Sequence, residues 1–303
     1  MLVFATSDKG GTGRTVTSSN IVYRRALQGS DVCYLDFDFG APTAGAIFGI
    51  HTVQRGTKDG GLHRYIQGAI DEPQRIDVWA ESERTSLCGR PSGAGELVLL
   101  PGDEGGSEFV VDDESVDRCV DLLVQLNDSY DIVLMDLSAG RSFATELALR
   151  VTARDELRSI PTRWLVFHRW TRQHVIAAHG LALGVGGILD LGKGFGHDHD
   201  ELQSAIRFVR TVVVNPSSEQ LAGLRAAQIT WLRQMDRDLN QLAGNLGIGR
   251  LVTLGSVPLD PVLQWREQLI TDSDTMLREI ANPATVESFE ALAKGLTDDW
   301  ITI

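Results

Sequence analysis

A glycine-rich segment close to the first residue carries the strongest chemical signal in the sequence. It reads DKGGTGRT over residues 8–15 and lies between a strand-like run and a helix-like stretch. Glycines let the backbone fold so that successive N–H groups point inward and hold phosphate oxygens. A helix N-terminus adds a favourable field for the anion, and the hydroxyl of Thr15 is placed to ligate Mg²⁺. The segment predicts a phosphate-binding loop, with a plain glycine turn as the alternative.

Two further apolar runs end in aspartates. The sequence LDFDFG at 35–40 places Asp36 and Asp38 at the end of a predicted strand, and DIVLMD at 131–136 ends in Asp136. Phosphoryl chemistry requires a carboxylate at the carboxyl end of a strand, facing the γ-phosphate. An ordinary turn is the alternative for the first pair.

These motifs resemble those of the ParA/MinD family of deviant Walker A P-loop ATPases, whose loop reads K-G-G-x-G-K-[ST]. Lys9 matches the extra lysine of the family, which reaches across a nucleotide-sandwich dimer to the ATP of the partner. Arg14 departs from the pattern, because the family has a lysine there that touches the β- and γ-phosphates. Arginine is bulkier and presents a planar fork, so the replacement bears on hydrolysis more than on binding.

The resemblance assigns roles along most of the chain. Asp38 matches the carboxylate that orients or activates the attacking water, Asp36 supports the metal region, and Asp136 looks like the Walker B aspartate. The run VVVNP at 212–216 resembles the strand whose asparagine reads adenine, and GSVPLD at 255–260 resembles the turn that packs around the base. The implied catalytic residues are Lys9 and Asp38; the implied metal ligands are Thr15, Asp36 and Asp136; the implied nucleotide contacts are Lys9, Gly10, Gly11, Thr12, Gly13, Arg14, Thr15, Val16, Asn215, Pro258 and Asp260. The implied cofactors are ATP and Mg²⁺.

Strand-like runs alternate with helix-like stretches from end to end. We expect strands over residues 2–6, 31–37, 96–100, 131–135, 164–167, 209–214 and 251–254, and helices over 15–27, 116–126 and from Pro216 to Gly244. Short apolar runs separated by helices predict an α/β, doubly wound, mostly parallel sheet of about seven or eight strands with helices on both faces, as in P-loop NTPases. We expect a single domain over 1–303 with an irregular excursion at about 51–95.

Composition and charge restrict the partners. Hydrophobic residues make up 43% of the 303, which fits a globular protein with a sizeable core. The net charge of −13 opposes binding to nucleic acid, so DNA is a disfavoured partner that would need a local basic patch. The seven arginines between 141 and 172 are the candidate patch, and the spacing of Arg150, Arg154 and Arg158 would place these three on one face of a helix. A solvated helix face is the alternative.

Cysteines and hydropathy give an expectation for location. Three cysteines without a C-x-x-C pair suggest a reducing compartment. The apolar stretches appear shorter than the roughly 18 to 20 residues of a spanning helix. We therefore expect a cytoplasmic protein with no membrane contact. Cys33 and Cys119 are expected in the core, and Trp164, Trp170, Trp231 and Trp265 are expected to serve packing.

Three functions are compatible with the motifs. The first is an ATP-dependent dimerisation switch that positions or partitions a cargo. It would form a homodimer with ATP, hydrolyse ATP slowly and be regulated by an unidentified protein partner. The second is a metabolic relative, such as a ligase or an iron–sulfur reductase. The reductase branch fails because no cysteine follows Asp136, and no motif indicates a ligase pocket. The third is a nucleotide-binding scaffold or regulator with little or no hydrolysis, which Arg14 favours.

Overall fold

The computed structural model describes residues 1–215 and 223–300. The strands of this part of the chain are β1 (Leu2–Thr6), β2 (Val32–Phe37), β3 (Ile76–Asp77), β4 (Leu97–Leu100), β5 (Ile132–Leu137), β6 (Thr162–Arg169), β7 (Ile206–Val213) and β8 (Thr253–Pro258). They form one sheet in the order β3-β4-β2-β5-β1-β6-β7-β8. Every neighbouring pair is parallel except β3 and β4. The predicted α/β fold with a mostly parallel sheet is confirmed.

Helices cover both faces of the sheet. They are α1 (Arg14–Leu27), α2 (Ala44–Phe48), α3 (Leu62–Ile66), α4 (Val78–Glu81), α5 (Asp113–Ser129), α6 (Phe143–Thr152), α7 (Arg172–Leu183), α8 (Ile188–Gly194), α9 (His199–Ser204), α10 (Ala226–Asn245), α11 (Pro261–Trp265), α12 (Asp272–Met276) and α13 (Pro283–Gly295). One core lies between the sheet and α5 to α9, and includes Cys33 and Cys119 as expected. The other core lies between the sheet and α1, α2 and α13.

The position of β1 determines where chemistry can occur. All five of its residues are buried, so the strand needs neighbours on both edges and helices on both faces. It pairs with β5 on one edge and with β6 on the other. In this register Asp136 of β5 lies beside Ala5 of β1 and Asp36 of β2. The carboxyl ends of β1, β2 and β5 therefore meet at one edge, where the glycine-rich segment follows β1.

The region at 51–95, for which the sequence predicts an irregular excursion, contains short elements that pack onto the sheet. It contains α3, β3 and α4, and β3 extends the sheet by pairing antiparallel with β4. Trp79 is buried, and its indole N–H donates to the carbonyl of Gly95 at 3.0 Å. Leu62 and Ile66 join the core of one face. These elements are too short to show a hydrophobic period, which is why the sequence did not reveal them.

The long helix expected from Pro216 to Gly244 begins later and is less buried. α10 starts at Ala226, and residues 216–222 lie outside the described residues. Only Ala243 of α10 is buried. Trp231 is 60% exposed and Trp265 is 88% exposed, so the packing role expected for these two is wrong, while Trp164 and Trp170 are buried. A hydrophobic period marks a helix but does not say what covers its apolar face.

The predicted arginine face does not form, because α6 ends at Thr152 and the following residues turn. Each of the three arginines has an acidic partner within the chain: Arg150 with Glu146, Arg154 with Asp117, and Arg158 with Asp155. These charges are therefore partly neutralised on the surface of the monomer.

One stretch has the length and hydropathy of a membrane span, contrary to the expectation that none comes near it. It runs over Arg172–Gly194, and 44% of its most apolar window is buried. In the fold the stretch forms two helices, α7 and α8, and both contribute side chains to the core of one face. Core helices of globular proteins commonly satisfy the same length and composition test.

Asn20 is a buried polar link between α1 and the segment that precedes α12. Its amide nitrogen donates to the carbonyls of Val16 at 2.8 Å and Gln268 at 3.1 Å. Its oxygen accepts from the backbone N–H of Ile270 at 2.8 Å. This link fixes the segment at 266–271 against the first helix.

Asn20→Ala should destabilise the protein by about 2–4 kcal/mol, because it leaves the Ile270 N–H and the Gln268 carbonyl buried without partners. Ser19→Ala is the matched control on the same helix, because the buried Ser19 hydroxyl lies near the Tyr34 hydroxyl but forms no well-aligned hydrogen bond among the described residues. Urea denaturation measures both variants, and we expect the control to lie within about 1 kcal/mol of the wild type. Equal losses in the two variants would contradict this assignment.

Candidate nucleotide-binding site

The glycine-rich segment forms an open cradle at the N-terminus of α1. Gly11 and Gly13 have φ angles of 70° and 75°, which a side chain would strain. Within the described residues, no atom lies within 4 Å of where a Cβ would stand on Gly10 or Gly11. Gly13 precedes α1 without a side-chain cap, so the N–H groups of the first helical turn are available to an anion. The predicted phosphate loop thus has the required local geometry.

Two connected cavities lie along this cradle. The first, of about 130 Å³, is lined by the loop from Gly10 to Val16 and by Asp38. The second, of about 180 Å³, continues towards the ends of β7 and β8, where Thr211 and Pro258 line it. The two cavities share Gly11, Gly13, Val16 and Glu267. The lining residues place phosphates in the first cavity, beside the glycine-rich loop, and a nucleoside in the second, beside the ends of β7 and β8.

Arg14 is buried among the carboxylates at the end of β2 and β5. Its Nε donates to Asp136 Oδ1, and its Nη2 donates to Asp38 Oδ2 at 3.0 Å. The hydroxyl of Thr15 lies 3.4 Å from the same Nη2. Arg14 is 6% exposed and Asp136 is fully buried. Three residues predicted as separate parts of the site are therefore held together by one guanidinium.

Burial and mutual repulsion alter the acid–base properties of this cluster. Burial, and next the neighbouring Asp136 carboxylate, raise the pKa of Asp36 to about 7. Burial also raises the pKa of Asp136, although Arg14 opposes the rise. Burial alone would lower the pKa of Arg14, but Asp136 and Asp38 outweigh it and raise the pKa above its ordinary value. Arg14 is thus a permanent cation at this position.

Asp36 is oriented by the backbone that follows β2. Its carboxylate accepts from the N–H of Ala44 at 2.9 Å and from the N–H of Asp38 at 3.3 Å. These contacts hold the turn that carries Asp38 next to the phosphate loop. Asp36 therefore shapes the loop and is not free to act as a ligand without giving up these contacts.

The oxygen atoms predicted to hold Mg²⁺ do not fit the ion in this arrangement. Asp136 Oδ2 is buried and has no hydrogen-bond partner within the described residues, which would suit a cation. Asp136 Oδ1 and Asp38 are already held by Arg14, and the same guanidinium lies close to Thr15 Oγ1. Mg²⁺ demands near-ideal octahedral oxygen geometry. The ion and the guanidinium would compete for the same atoms.

The residues predicted to bind the base fall into two groups. Pro258 lines the second cavity, whereas Asn215 is not among the residues lining it and has an interaction of its own. Asp260 also borders the cavity, but its carboxylate accepts from three donors: the N–H of Val262 at 3.1 Å, the N–H of Asn282 at 2.9 Å and the hydroxyl of Thr285 at 2.7 Å. Asp260 thus begins α11 and ties it to α13.

Lys9 stands apart from the cluster. It is exposed and forms no ion pair within residues 1–215 and 223–300. The loop after β5 lies against the same region, because the N–H of Gly140 donates to the carbonyl of Ser7 at 2.7 Å and Arg141 lies 3.8 Å from Asp8. The start of the phosphate loop is therefore fixed, while the side chain of Lys9 is free to reach another molecule.

Two residues of the site carry no recognisable signal in the sequence. The hydroxyl of Thr211 donates to the carbonyl of Thr12 at 2.6 Å and so ties the phosphate loop to β7. Glu267 borders both cavities although it is far away in the chain. No local pattern marks either residue, because both act through contacts between distant segments.

The chain is similar to known proteins in sequence and in fold. No protein-family model matches the chain. The septum site-determining protein MinD of Synechocystis is 27% identical over 139 residues, which cover 46% of this chain and 45% of that protein. The flagellum site-determining protein YlxH of Helicobacter pylori is 26% identical over 147 residues, 48% of this chain and 44% of that protein. The match spans under half the length of these relatives.

Solved structures show the same fold over the whole chain. The MinC:MinD cell division complex of Aquifex aeolicus aligns with a TM-score of 0.58 at 15% identity, covering 100% of this chain and 98% of that one. The MinD protein of Pyrococcus horikoshii complexed with Mg-ADP aligns at 0.53 and 16% identity, covering 98% and 97%. The chain therefore has the fold of the MinD and ParA P-loop proteins. ParA/MinD proteins are ATPases, and the cradle described above lies where such a fold carries its P-loop.

Removing the guanidinium of Arg14 should lower the free energy of unfolding, because it leaves the buried carboxylates without a compensating charge. Arg14→Met should destabilise it by about 3–5 kcal/mol, because Asp136 is then buried and unpaired. The loss should be larger at pH 8 than at pH 6, since protonation of Asp136 relieves the unpaired charge at lower pH. Chemical denaturation at the two pH values measures both effects.

The double variant Arg14→Met/Asp136→Asn is the control, because it removes both charges. We expect it to regain most of the lost stability and to lose the part of the pH dependence that arises from Asp136, while Asp36 still titrates in this interval. If the double variant is as unstable as Arg14→Met at pH 8, Arg14 does not act by compensating Asp136.

Proposed function

We propose that this protein is an ATP-dependent dimerisation switch that positions or partitions a cargo, with slow ATP hydrolysis. The observation that carries the proposal is the open phosphate cradle at the start of α1, continuous with a second cavity at the ends of β7 and β8. Backbone N–H groups of the cradle would bind the phosphates, and the second cavity would take the nucleoside. The site-determining relatives support a role in placing a cargo.

Lys9 is the residue proposed to link two chains. Its ammonium is exposed beside the cradle and has no acidic partner within the described residues. A lysine in that position can reach the phosphates of a nucleotide held by a second copy, so the nucleotide itself would complete the interface. Nucleotide loss would then open the dimer.

Asp38 is the residue proposed to position the attacking water. It lines the phosphate cavity, and one of its oxygens is held by Arg14. The carboxylate can accept a hydrogen bond from a water molecule and hold that water in line with the terminal phosphate. Because Arg14 draws electron density from the same carboxylate and fixes its orientation, we propose that turnover is slow.

A second candidate is a nucleotide-binding scaffold or regulator with little or no hydrolysis. The ion pairs from Arg14 to Asp38 and Asp136 favour it, because both carboxylates are engaged before any nucleotide enters. The two candidates predict different rates of phosphate release but the same binding of nucleotide. A cargo, a protein partner, the cytoplasmic location, the disfavoured contact with DNA and the expected lack of membrane contact stay predictions.

Calorimetric titration with ATP, ADP and GTP tests the binding step. We expect binding of ATP and ADP, and the comparison with GTP tests the adenine preference that the resemblance implies for Asn215, which does not line the second cavity. A folded sample that takes up none of the three nucleotides would contradict both candidates.

Light scattering with ATP tests the switch. Lys9→Ala should weaken ATP-dependent dimerisation roughly tenfold or more, because it removes a charge-assisted contact to phosphate of about 1.5–3 kcal/mol. Asp38→Ala should keep ATP and the dimer while lowering phosphate release. Lys294→Ala, at the exposed end of α13, is the control for loss of a positive charge. Equal dimerisation of Lys9→Ala and the control would rule out the switch and leave the scaffold.

A further inference from the structure

We propose that the guanidinium of Arg14 takes the place of a divalent cation, so that nucleotide phosphates bind to this P-loop without Mg²⁺. The inference rests on the proposed nucleotide binding and adds the ionic requirement of that same site. Its basis is the arrangement of Arg14, Asp38, Asp136 and Thr15 at the end of β2 and β5.

The first argument is position. Arg14 Nε donates to Asp136 and Nη2 donates to Asp38 at 3.0 Å, with Thr15 Oγ1 at 3.4 Å from Nη2. These are the oxygen atoms that a metal beside the phosphates would use. Two cations cannot share them, because each would repel the other at this distance in a buried site.

The second argument is the cost of moving the guanidinium away. Arg14 and Asp136 are buried at 6% and 0% exposure, and both charges are compensated only while they are in contact. Displacing Arg14 by a hydrated metal would break two ion pairs and require the metal to shed water. A guanidinium that is already in place needs neither step.

The third argument is the geometry of an arginine compared with a lysine. The planar fork lets one side chain bridge two carboxylates, which a single ammonium on a flexible stem does less well. Nη1 donates to no protein acceptor in the described part of the chain, and Arg14 lines the phosphate cavity. Nη1 is therefore the donor left for a phosphate oxygen, so one residue can neutralise the carboxylates and contact the nucleotide.

Equilibrium binding of ADP and ATP in excess Mg²⁺ and in excess EDTA tests the proposal. The wild type should change its Kd by less than about threefold when the metal is removed. For Arg14→Lys, removal of the metal should raise the Kd roughly tenfold or more. A single lysine ammonium cannot bridge both carboxylates and the phosphates as the guanidinium does. Arg25→Lys, on the same helix but bonded only to Gln28 and Ser30, is the matched control and should behave as the wild type.

Each outcome is decisive. If the wild type loses affinity in EDTA by about as much as Arg14→Lys, a metal holds the nucleotide and the proposal is overturned. If Arg14→Lys does not fold, as thermal unfolding would reveal, the comparison of the wild type in Mg²⁺ and EDTA still decides. If no nucleotide binds under either condition, the proposed function fails and this inference fails with it.

Discussion

The constraint on which the rest of the site depends is the convergence of three parallel strands at one edge of the sheet. β1 delivers the glycine-rich loop, β2 delivers Asp36 and Asp38, and β5 delivers Asp136 in register with Asp36. Negative charges brought together in a buried place repel and must be compensated. Arg14 provides that compensation because the first turn of α1 starts at the same edge.

This arrangement links stability to function. The guanidinium that keeps the carboxylates paired is also the side chain in the position where the family has its phosphate-binding lysine. In the proposed function, a nucleotide would have to bind without removing Arg14 from Asp136, which is fully buried. The backbone cradle can bind phosphates independently of Arg14, because its donors are N–H groups at the start of a helix. In the proposed function, nucleotide binding would therefore depend less on this side chain than it does where a lysine contacts the phosphates.

Much of the fold and of the phosphate loop was predictable from the sequence. Buried parallel strands are continuous apolar runs, so β1, β2 and β5 were visible as such, and the glycines at 10–13 needed no tertiary information. The short elements α3, β3 and α4 were missed because segments of two to five residues are too short to show a hydrophobic period. The Arg14 ion pairs were not predictable, since they join positions 14, 38 and 136. Likewise, Thr211 and Asp260 owe their roles to partners remote in the chain.

A crystal structure grown with a non-hydrolysable ATP analogue and excess Mg²⁺ tests the central claim most directly, namely that this P-loop binds a nucleotide while Arg14 remains on its carboxylates. We expect the phosphates to lie against the N–H groups of residues 10–16, with the guanidinium still bridging Asp38 and Asp136. An octahedral ion between Thr15 and Asp136 with Arg14 turned away, or a nucleotide bound elsewhere, would contradict it.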